Sequence, residues 1–550
     1  MTASHSTPSD PWRTAMSYVV GRKRAEEALG FLAEVSRSLA DPRSAEEVSQ
    51  RVCVLTTSFL ADRCTIAGPD APGALLEEAT LMVPLRDGSA FLLWRAKPFS
   101  GGEVALAEEV GRRIDAALTI VRLRPAERIV KPRGLTDSGR NRLRISMSDG
   151  RLESNVRTYS RIFPAVFDRA SGARIEAEDG RQWIDFFCGA GALNYGHNPP
   201  GMMRAIVDYI ERNGVLHSLD MATKAKRRFL EHFAAVILGP RGLDYKVQFC
   251  GPTGANAVEA ALKLARRNTR RTEVIAFERA YHGMSLGALA VTWHARARGG
   301  AGVPLRDATF VPFDDPSLDV DQALAPVAAA LERTAAAAVI VETVQAEGGV
   351  HVARDEWLRG LRRLTSAHGA VLIVDDIQAG CGRTGPFFSF ERAGIEPDLV
   401  CLSKSISGCG LPMSLLLIRP ELDVWLPGEH NGTFRGQNLA FVAATEALRA
   451  WEEPELPAQV ERAASRLTAH LRQLAPRFEV RGRGLLLGLD AGSPERASAI
   501  CAAAFEGGLL VESVMGGVVK LAPPLVIDDA TLDEGAAILG AAIQATGGER

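Results

Sequence analysis

Residues 371–385 read VLIVDDIQAGCGRTG, and the fold turns on how this stretch is placed. Four consecutive apolar residues, Val371 to Val374, fit a strand buried on both faces, as in parallel sheets. The run ends on two adjacent carboxylates, Asp375 and Asp376. Acids at the end of a buried strand need a partner that compensates their desolvation. Around this stretch strands and helices alternate: KVQFC (246–250), a helix from Ala255 to Arg267, EVIAF (273–277), ATFVPF (308–313), AAVIVETV (337–344), a helix around Leu358 to His368, AVLIVDD (370–376) and LVCLSK (399–404). Such alternation predicts an α/β domain with a large, mostly parallel sheet and covering helices. Ligands in that architecture bind beyond the carboxyl ends of the strands.

The rest of the chain is consistent with a soluble protein that acts on small molecules. At 550 residues it exceeds a single typical core. With 64 basic and 66 acidic residues, its formal charge of -2 gives no electrostatic reason to expect nucleic acid or an anionic membrane as partner. The N-terminus, MTASHSTPSDPW, lacks an apolar signal core, and no run approaches a clean apolar 20-mer. Eight scattered cysteines form no paired array, which argues against structural zinc and a disulfide framework and fits the cytoplasm. His197 and His217 read as loop or packing residues and Cys381, Cys401 and Cys409 as small apolar fillers, so no metal site is expected.

Three strand ends carry the candidate chemistry. After 246–250 the chain runs into GPTGANAVEAALKLARR, whose helix presents Val258, Ala261, Leu262 and Ala265 on its apolar face. Gly251 and Gly254 let a ligand approach the helix N-terminus, a phosphate seat or simply a turn. The second strand end is Asp375. The third is Lys404, after the apolar LVCLS and before SISGCGLP. A lysine there could be an ordinary surface residue, but only nine lysines occur in the chain and its surroundings are apolar, which would lower its pKa and make it nucleophilic. A phosphate seat, a strand-end acid and a buried amine are the minimum equipment for pyridoxal 5'-phosphate. Asp375 would keep the ring nitrogen protonated and Lys404 would join the aldehyde, leaving Asp376 to anchor neighbouring loops.

Eight stretches strengthen this reading: RIFPAVFDRASG, IDFFCGAGALNYGHN, GPTGANAVEAALKLAR, FERAYHGMSLGALAVT, VETVQAEGG, DDIQAGCGRTG, LSKSISGCGLPMS and GTFRGQNLAF. Together they make residues 156–530 resemble the class III aminotransferases of fold-type I, and within them the diaminobutyrate–2-oxoglutarate aminotransferases. The resemblance implies a large cofactor domain at about 210–440 and a small α+β lobe built from 156–209 and 450–550. It implies that Gly254 and Ala255 form the phosphate cup, with a hydroxyl missing at Ala255. Tyr281 would stack on the ring with His282 beside it, Asp375 would pair with the pyridine nitrogen, Gln378 would touch the ring hydroxyl, and Lys404 would be the covalently joined lysine. Thr433 would reach the phosphate of a neighbouring subunit, giving a homodimer with shared sites. Lys520 stands where related enzymes often carry an arginine for a substrate carboxylate. Glu347 would hold Lys520 while the amine donor is bound and release it for the 2-oxo acid. Arg161 and Tyr159 are candidates for gripping the far end of the donor.

The reaction so implied is transfer of the 4-amino group of L-2,4-diaminobutyrate to 2-oxoglutarate, giving L-aspartate 4-semialdehyde and L-glutamate, reversibly. Its product could feed an ectoine-like osmolyte or a siderophore. Alternatives are another terminal-amine aminotransferase, of ornithine or 4-aminobutyrate type, or a silent lobe regulated through the N-terminal domain. That domain, residues 13–130, reads as two helices (about Arg22 to Leu39, then 45–60), short strands including TLMVPL and AFLLWRA, and a closing helix over 102–121. The order resembles a GAF domain, and 131–155 reads as a linker.

Overall fold

The computed structural model describes residues 153–547 continuously and, before them, scattered positions between 31 and 114. The chain divides into two compact units, Met1–Arg140 and Asn141–Arg550. In the first unit three antiparallel strands, Arg63–Ala67, Leu81–Pro84 and Ala90–Trp94, form a sheet with Ala90–Trp94 in the middle. The central strand is buried along both faces: Phe91 and Leu93 pack with Val35, Val52, Val83, Val110 and Ile114, while Leu92 packs with Ala67 and Ala90. Phe31, Val35 and the described positions of 48–56 and 103–114 are helical, in agreement with the periodicity. The linker over 131–152, the tail MTASHSTPSDPW, and Ala28, Leu29 and Leu32 of the first expected helix lie outside the described residues.

The second unit is organised by a seven-stranded sheet. Its strands are β1 (Lys246–Gly251), β2 (Val274–Phe277), β3 (Ala308–Val311), β4 (Ala338–Val341), β5 (Val371–Asp375), β6 (Leu399–Leu402) and β7 (Ser414–Ile418). They lie in the order β1-β7-β6-β5-β4-β2-β3. All neighbours except those of β7 run parallel, and β7 is antiparallel to both β6 and β1. Six of the seven strands were visible as apolar runs. The run SLLLI of β7, fully buried, has the same composition as its neighbours, and composition does not encode strand direction.

Helix Gly254–Thr269 covers this sheet with Val258, Ala261, Leu262 and Ala265, all buried, as the pattern predicts. It ends where Arg270 turns left-handed, at φ 57°. Helix Asp355–His368 lies near the β5 side of the sheet, and its Trp357 ring stands 5.3 Å from Phe277 and 5.4 Å from Phe313.

Two smaller sheets flank the C-terminal part of the unit. The hairpin Arg174–Ala177 with Gln182–Asp185 forms around Gly180 at φ 83°, and Leu509–Leu510 adds to it as a parallel edge strand. The strands Val480–Arg483, Leu486–Asp490, Val518–Leu521 and Glu512–Val514 make a second, antiparallel sheet that carries Lys520. Among the described residues no helix is long and apolar enough to cross a membrane. Nor does any group of three or more His, Cys, Asp or Glu there suit a metal ion.

Trp357 is fully buried at the junction of helix and sheet. Trp357→Ala is expected to destabilise the unit by about 3–5 kcal/mol through the lost contacts and the cavity left behind, read as a lowered denaturation midpoint.

Candidate active site

The carboxyl ends of β4, β5 and β6 and the N-terminus of helix Gly254–Thr269 meet around a cavity of about 440 Å³. It is lined by Gly254, Ala255, Tyr281, His282, Glu347, Asp375, Gln378 and Lys404, eight of the residues expected from the sequence, together with Glu342, Thr253 and Asn256.

Lys404 opens the turn Lys404–Ser407 directly after β6, with φ at 52°. A lysine seldom adopts this left-handed conformation, so the surroundings must hold it there. They do so through Ser405, whose hydroxyl donates to the Gly191 carbonyl at 2.6 Å, and through Nζ of Lys404, which donates to the Ala190 carbonyl at 2.9 Å. Burial pushes the Lys404 ammonium below its usual pKa, against the opposing pull of the Glu347 carboxylate. The amine is thereby poised to serve as nucleophile and base.

Asp375 closes β5, and its side chain is only 4% exposed. One oxygen lies 2.7 Å from Nδ1 of His282, and the other accepts the Ile377 N–H at 3.2 Å. Nε2 of that buried histidine has no hydrogen-bond partner. Asp376 points the other way. It accepts the Ser389 N–H at 3.1 Å, its own N–H donates to the Cys401 carbonyl at 3.0 Å, and burial raises its pKa to about 7. It anchors the loop, as expected.

The helix end is prepared for an anion. Thr253 and Asn256 cap it, Oδ1 of Asn256 accepting from the Thr253 N–H at 3.2 Å and the hydroxyl at 2.9 Å. Unpaired N–H groups of the first turn remain available. The cradle is tight: a Cβ on Gly254 would lie 2.8 Å from the Ile377 side chain, and one on Gly283, at φ 130°, would lie 2.8 Å from that of Ala255. A flat ring carrying a phosphate, an aldehyde and a basic nitrogen matches this set of an anion seat, an amine and a buried acid.

On the Lys404 side, Lys520 bonds Glu347 and donates to Oε1 of Gln378 at 3.1 Å. Gln378 in turn donates to the Ala190 carbonyl and to Glu347, each at 3.1 Å. Burial alone would lower the Lys520 pKa, but the carboxylates of Glu347 and Glu512 outweigh it and hold the ammonium firmly charged. Tyr159, half exposed, packs its ring 5.0 Å from that of Phe187. Burial and then the Glu512 and Glu347 carboxylates push its hydroxyl up.

Two expected residues stand apart. Arg161 does not line the cavity; it is exposed and donates to the Asn155 carbonyl at 3.1 Å. Thr433 is also outside it, exposed, with its carbonyl 3.0 Å from Nε2 of His217. His197 pairs with Asp185 at 2.7 Å.

Two acids escaped the sequence reading. Glu342 follows β4 as Asp375 ends β5, so the repeated strand-end position could have revealed it. Glu512 is legible only from register, because it stands opposite Lys520 on the neighbouring strand.

The family profile for class-III aminotransferases matches residues 156–543. A diaminobutyrate–2-oxoglutarate transaminase of Streptomyces anulatus is 55% identical over 408 residues, covering 72% of this chain and 97% of that protein. One from Nocardia farcinica is 53% identical over 405 residues, covering 71% and 92%. Among solved structures, the ornithine aminotransferase of Toxoplasma gondii superposes with a TM-score of 0.65 at 27% identity, covering 73% of this chain and 94% of that one.

Glu342 accepts the Tyr281 N–H at 2.9 Å, and burial followed by repulsion from Asp375 holds its pKa well above the ordinary 4.5. A raised carboxyl pKa adds stability in full below 4.5 and loses it as pH rises toward the folded value. Glu342→Gln, which keeps an acceptor for Tyr281, should therefore gain stability relative to the parent as pH rises from 5 to 8 (range of about three units), measured by denaturant midpoints. Glu342→Ala should lose about 1–3 kcal/mol by stranding the Tyr281 N–H.

Proposed function

The chain belongs to the class-III aminotransferases, and on that premise we propose that it moves the 4-amino group of L-2,4-diaminobutyrate to 2-oxoglutarate. The products are L-aspartate 4-semialdehyde and L-glutamate, and the reaction is reversible. That it is a pyridoxal-phosphate-dependent aminotransferase follows from the family. The observation that carries the chemistry is the meeting of Lys404 and Asp375 in one cavity at a helix N-terminus. The choice of donor is supported by the names of the relatives that are about half identical to this chain.

Pyridoxal 5'-phosphate, when bound, supplies an aldehyde that takes up amino groups and a ring that draws electrons from the adjoining carbon. The first turn of helix Gly254–Thr269 would hold its phosphate, Tyr281 its face, Gln378 its hydroxyl and Asp375 its nitrogen. Asp375 lies at the floor of the cavity, and His282 fixes the direction of its carboxyl group through the 2.7 Å contact. Lys404 would be the residue that joins the aldehyde, and its amine would take a proton from the donor's reacting carbon as general base and deliver it as acid to the carbon that receives the amino group. The depressed pKa suits it to both duties. Glu347 covers Lys520 while a donor without a carboxylate on its reacting carbon occupies the site. It gives way when glutamate or 2-oxoglutarate brings one. Tyr159 stands at the edge of the cluster to meet the donor's far end, and Arg161 would have to swing inward to help.

The same proposal includes a homodimer in the cytoplasm in which Thr433 serves the partner's phosphate seat. It also retains the division into a large domain at about 210–440 and a lobe from 156–209 and 450–550. We take residues 13–130 as a GAF-like unit. A product bound for an osmolyte or a siderophore belongs to this proposal as well.

Lys404→Ala should lower turnover by at least about a hundredfold and remove the visible absorbance of the covalently joined cofactor. A yellow, active variant would overturn the assignment. Adding diaminobutyrate to the purified parent should bleach that absorbance faster than ornithine or 4-aminobutyrate does; the reverse order would replace the donor.

A further inference from the structure

Lys520 sits between two acids of unequal freedom. Glu512 stands directly opposite it in the antiparallel pairing of Glu512–Val514 with Val518–Leu521, and its side chain is 5% exposed. Glu347 belongs to the irregular segment after Val344–Gln345, lines the cavity and is 27% exposed. The ammonium directs hydrogen bonds at Glu347 and Gln378. Oε1 of Glu512, 2.8 Å from Nζ, is buried at an angle that leaves it without a directed hydrogen bond. It is a reserve acceptor within reach of a small rotation of the ammonium.

We propose that Glu512 is the fixed counter-charge of Lys520 and Glu347 the exchangeable one, so that a substrate carboxylate can replace Glu347 without leaving the ammonium buried and unpaired. The inference rests on the reading of Lys520 as the carboxylate-binding cation.

An uncompensated charge in such a place is heavily penalised. Without Glu512, the moment between the departure of Glu347 and the arrival of the substrate would strand Lys520 as such a charge. A lysine also ends in a point charge on a flexible stem and lacks the rigid fork by which an arginine fixes its own orientation. A neighbouring acid on the adjacent strand supplies that orientation. Glu512 weakens the hold of Glu347 and of the incoming carboxylate on Lys520 alike, since both are anions competing for one cation. Its effect on the exchange equilibrium therefore largely cancels, and its effect on the exchange rate does not. Glu512 is a positioning residue for the half-reaction with glutamate and 2-oxoglutarate, and contributes little to the half-reaction with a terminal amine.

The test uses the cofactor-loaded enzyme and the variant Glu512→Gln, which keeps the shape of the side chain. Stopped-flow bleaching by glutamate is expected to slow at least about tenfold, and bleaching by diaminobutyrate less than about threefold. The dissociation constant of glutarate, a dicarboxylate that cannot react, should change less than about threefold by calorimetry. A purely structural role would slow both half-reactions alike, and that outcome, or no slowing with glutamate, would overturn the proposal. Lys520→Met separates the two readings. If it leaves the glutamate half-reaction intact, the carboxylate reading of Lys520 falls and this inference with it. If it impairs that half-reaction while Glu512→Gln does not, Glu512 alone is misassigned. Should diaminobutyrate prove inert and another terminal amine react, the ratio measured with that amine decides the role of Glu512 in the same way.

Discussion

The site depends on keeping an amine and an acid in one cavity without letting them neutralise each other. Asp375 ends β5 and Lys404 follows the adjacent parallel strand β6 by two residues, with Cys401 and Asp375 as register partners. Each has its own local partner: the Ala190 carbonyl for the amine, His282 and the Ile377 N–H for the acid. The sheet acts as a spacer set by backbone pairing, which side-chain fluctuation cannot close. Strand direction matters as well, because only the carboxyl ends of parallel strands gather beside the N-terminus of a covering helix.

Around that pair the charges form two groups. On the floor, burial and then the repulsion of Asp375 push the Glu342 carboxyl well above its ordinary pKa. On the flank, Lys520 faces two acids, with burial raising the pKa of Glu512 while the ammonium and Lys404 draw down that of Glu347. The strand opposite Lys520 thus brings a second acid, Glu512, beside its ammonium. A single cation with two anions is a poor stabilising device for a fold but a serviceable one for exchanging ligands.

Most of the large sheet was legible because its strands are apolar on both faces and its helices carry a regular apolar stripe. Lys404 and Asp375 stood out by the mismatch between a charged residue and an apolar run. The direction of β7 was not legible, since SLLLI reads the same either way. Glu512 was hidden because its importance comes from a cross-strand pairing with Lys520 that a one-dimensional pattern does not contain. Arg161, singled out by its place in a family motif, turned out to donate to Asn155 at the surface. Tyr159, two residues earlier, has its hydroxyl pushed up by burial and then by the Glu512 and Glu347 carboxylates.

The small sheet in which Leu509–Leu510 lies alongside Gln182–Asp185 joins segments more than three hundred positions apart. During synthesis the hairpin Arg174–Ala177 with Gln182–Asp185 emerges long before its edge partner exists. Until then it presents an open edge, with Trp183 and Ile184 awaiting their burial. The closing of that edge is a late, long-range event in the birth of the protein, so nascent chains halted before residue 509 would carry an unpaired strand edge.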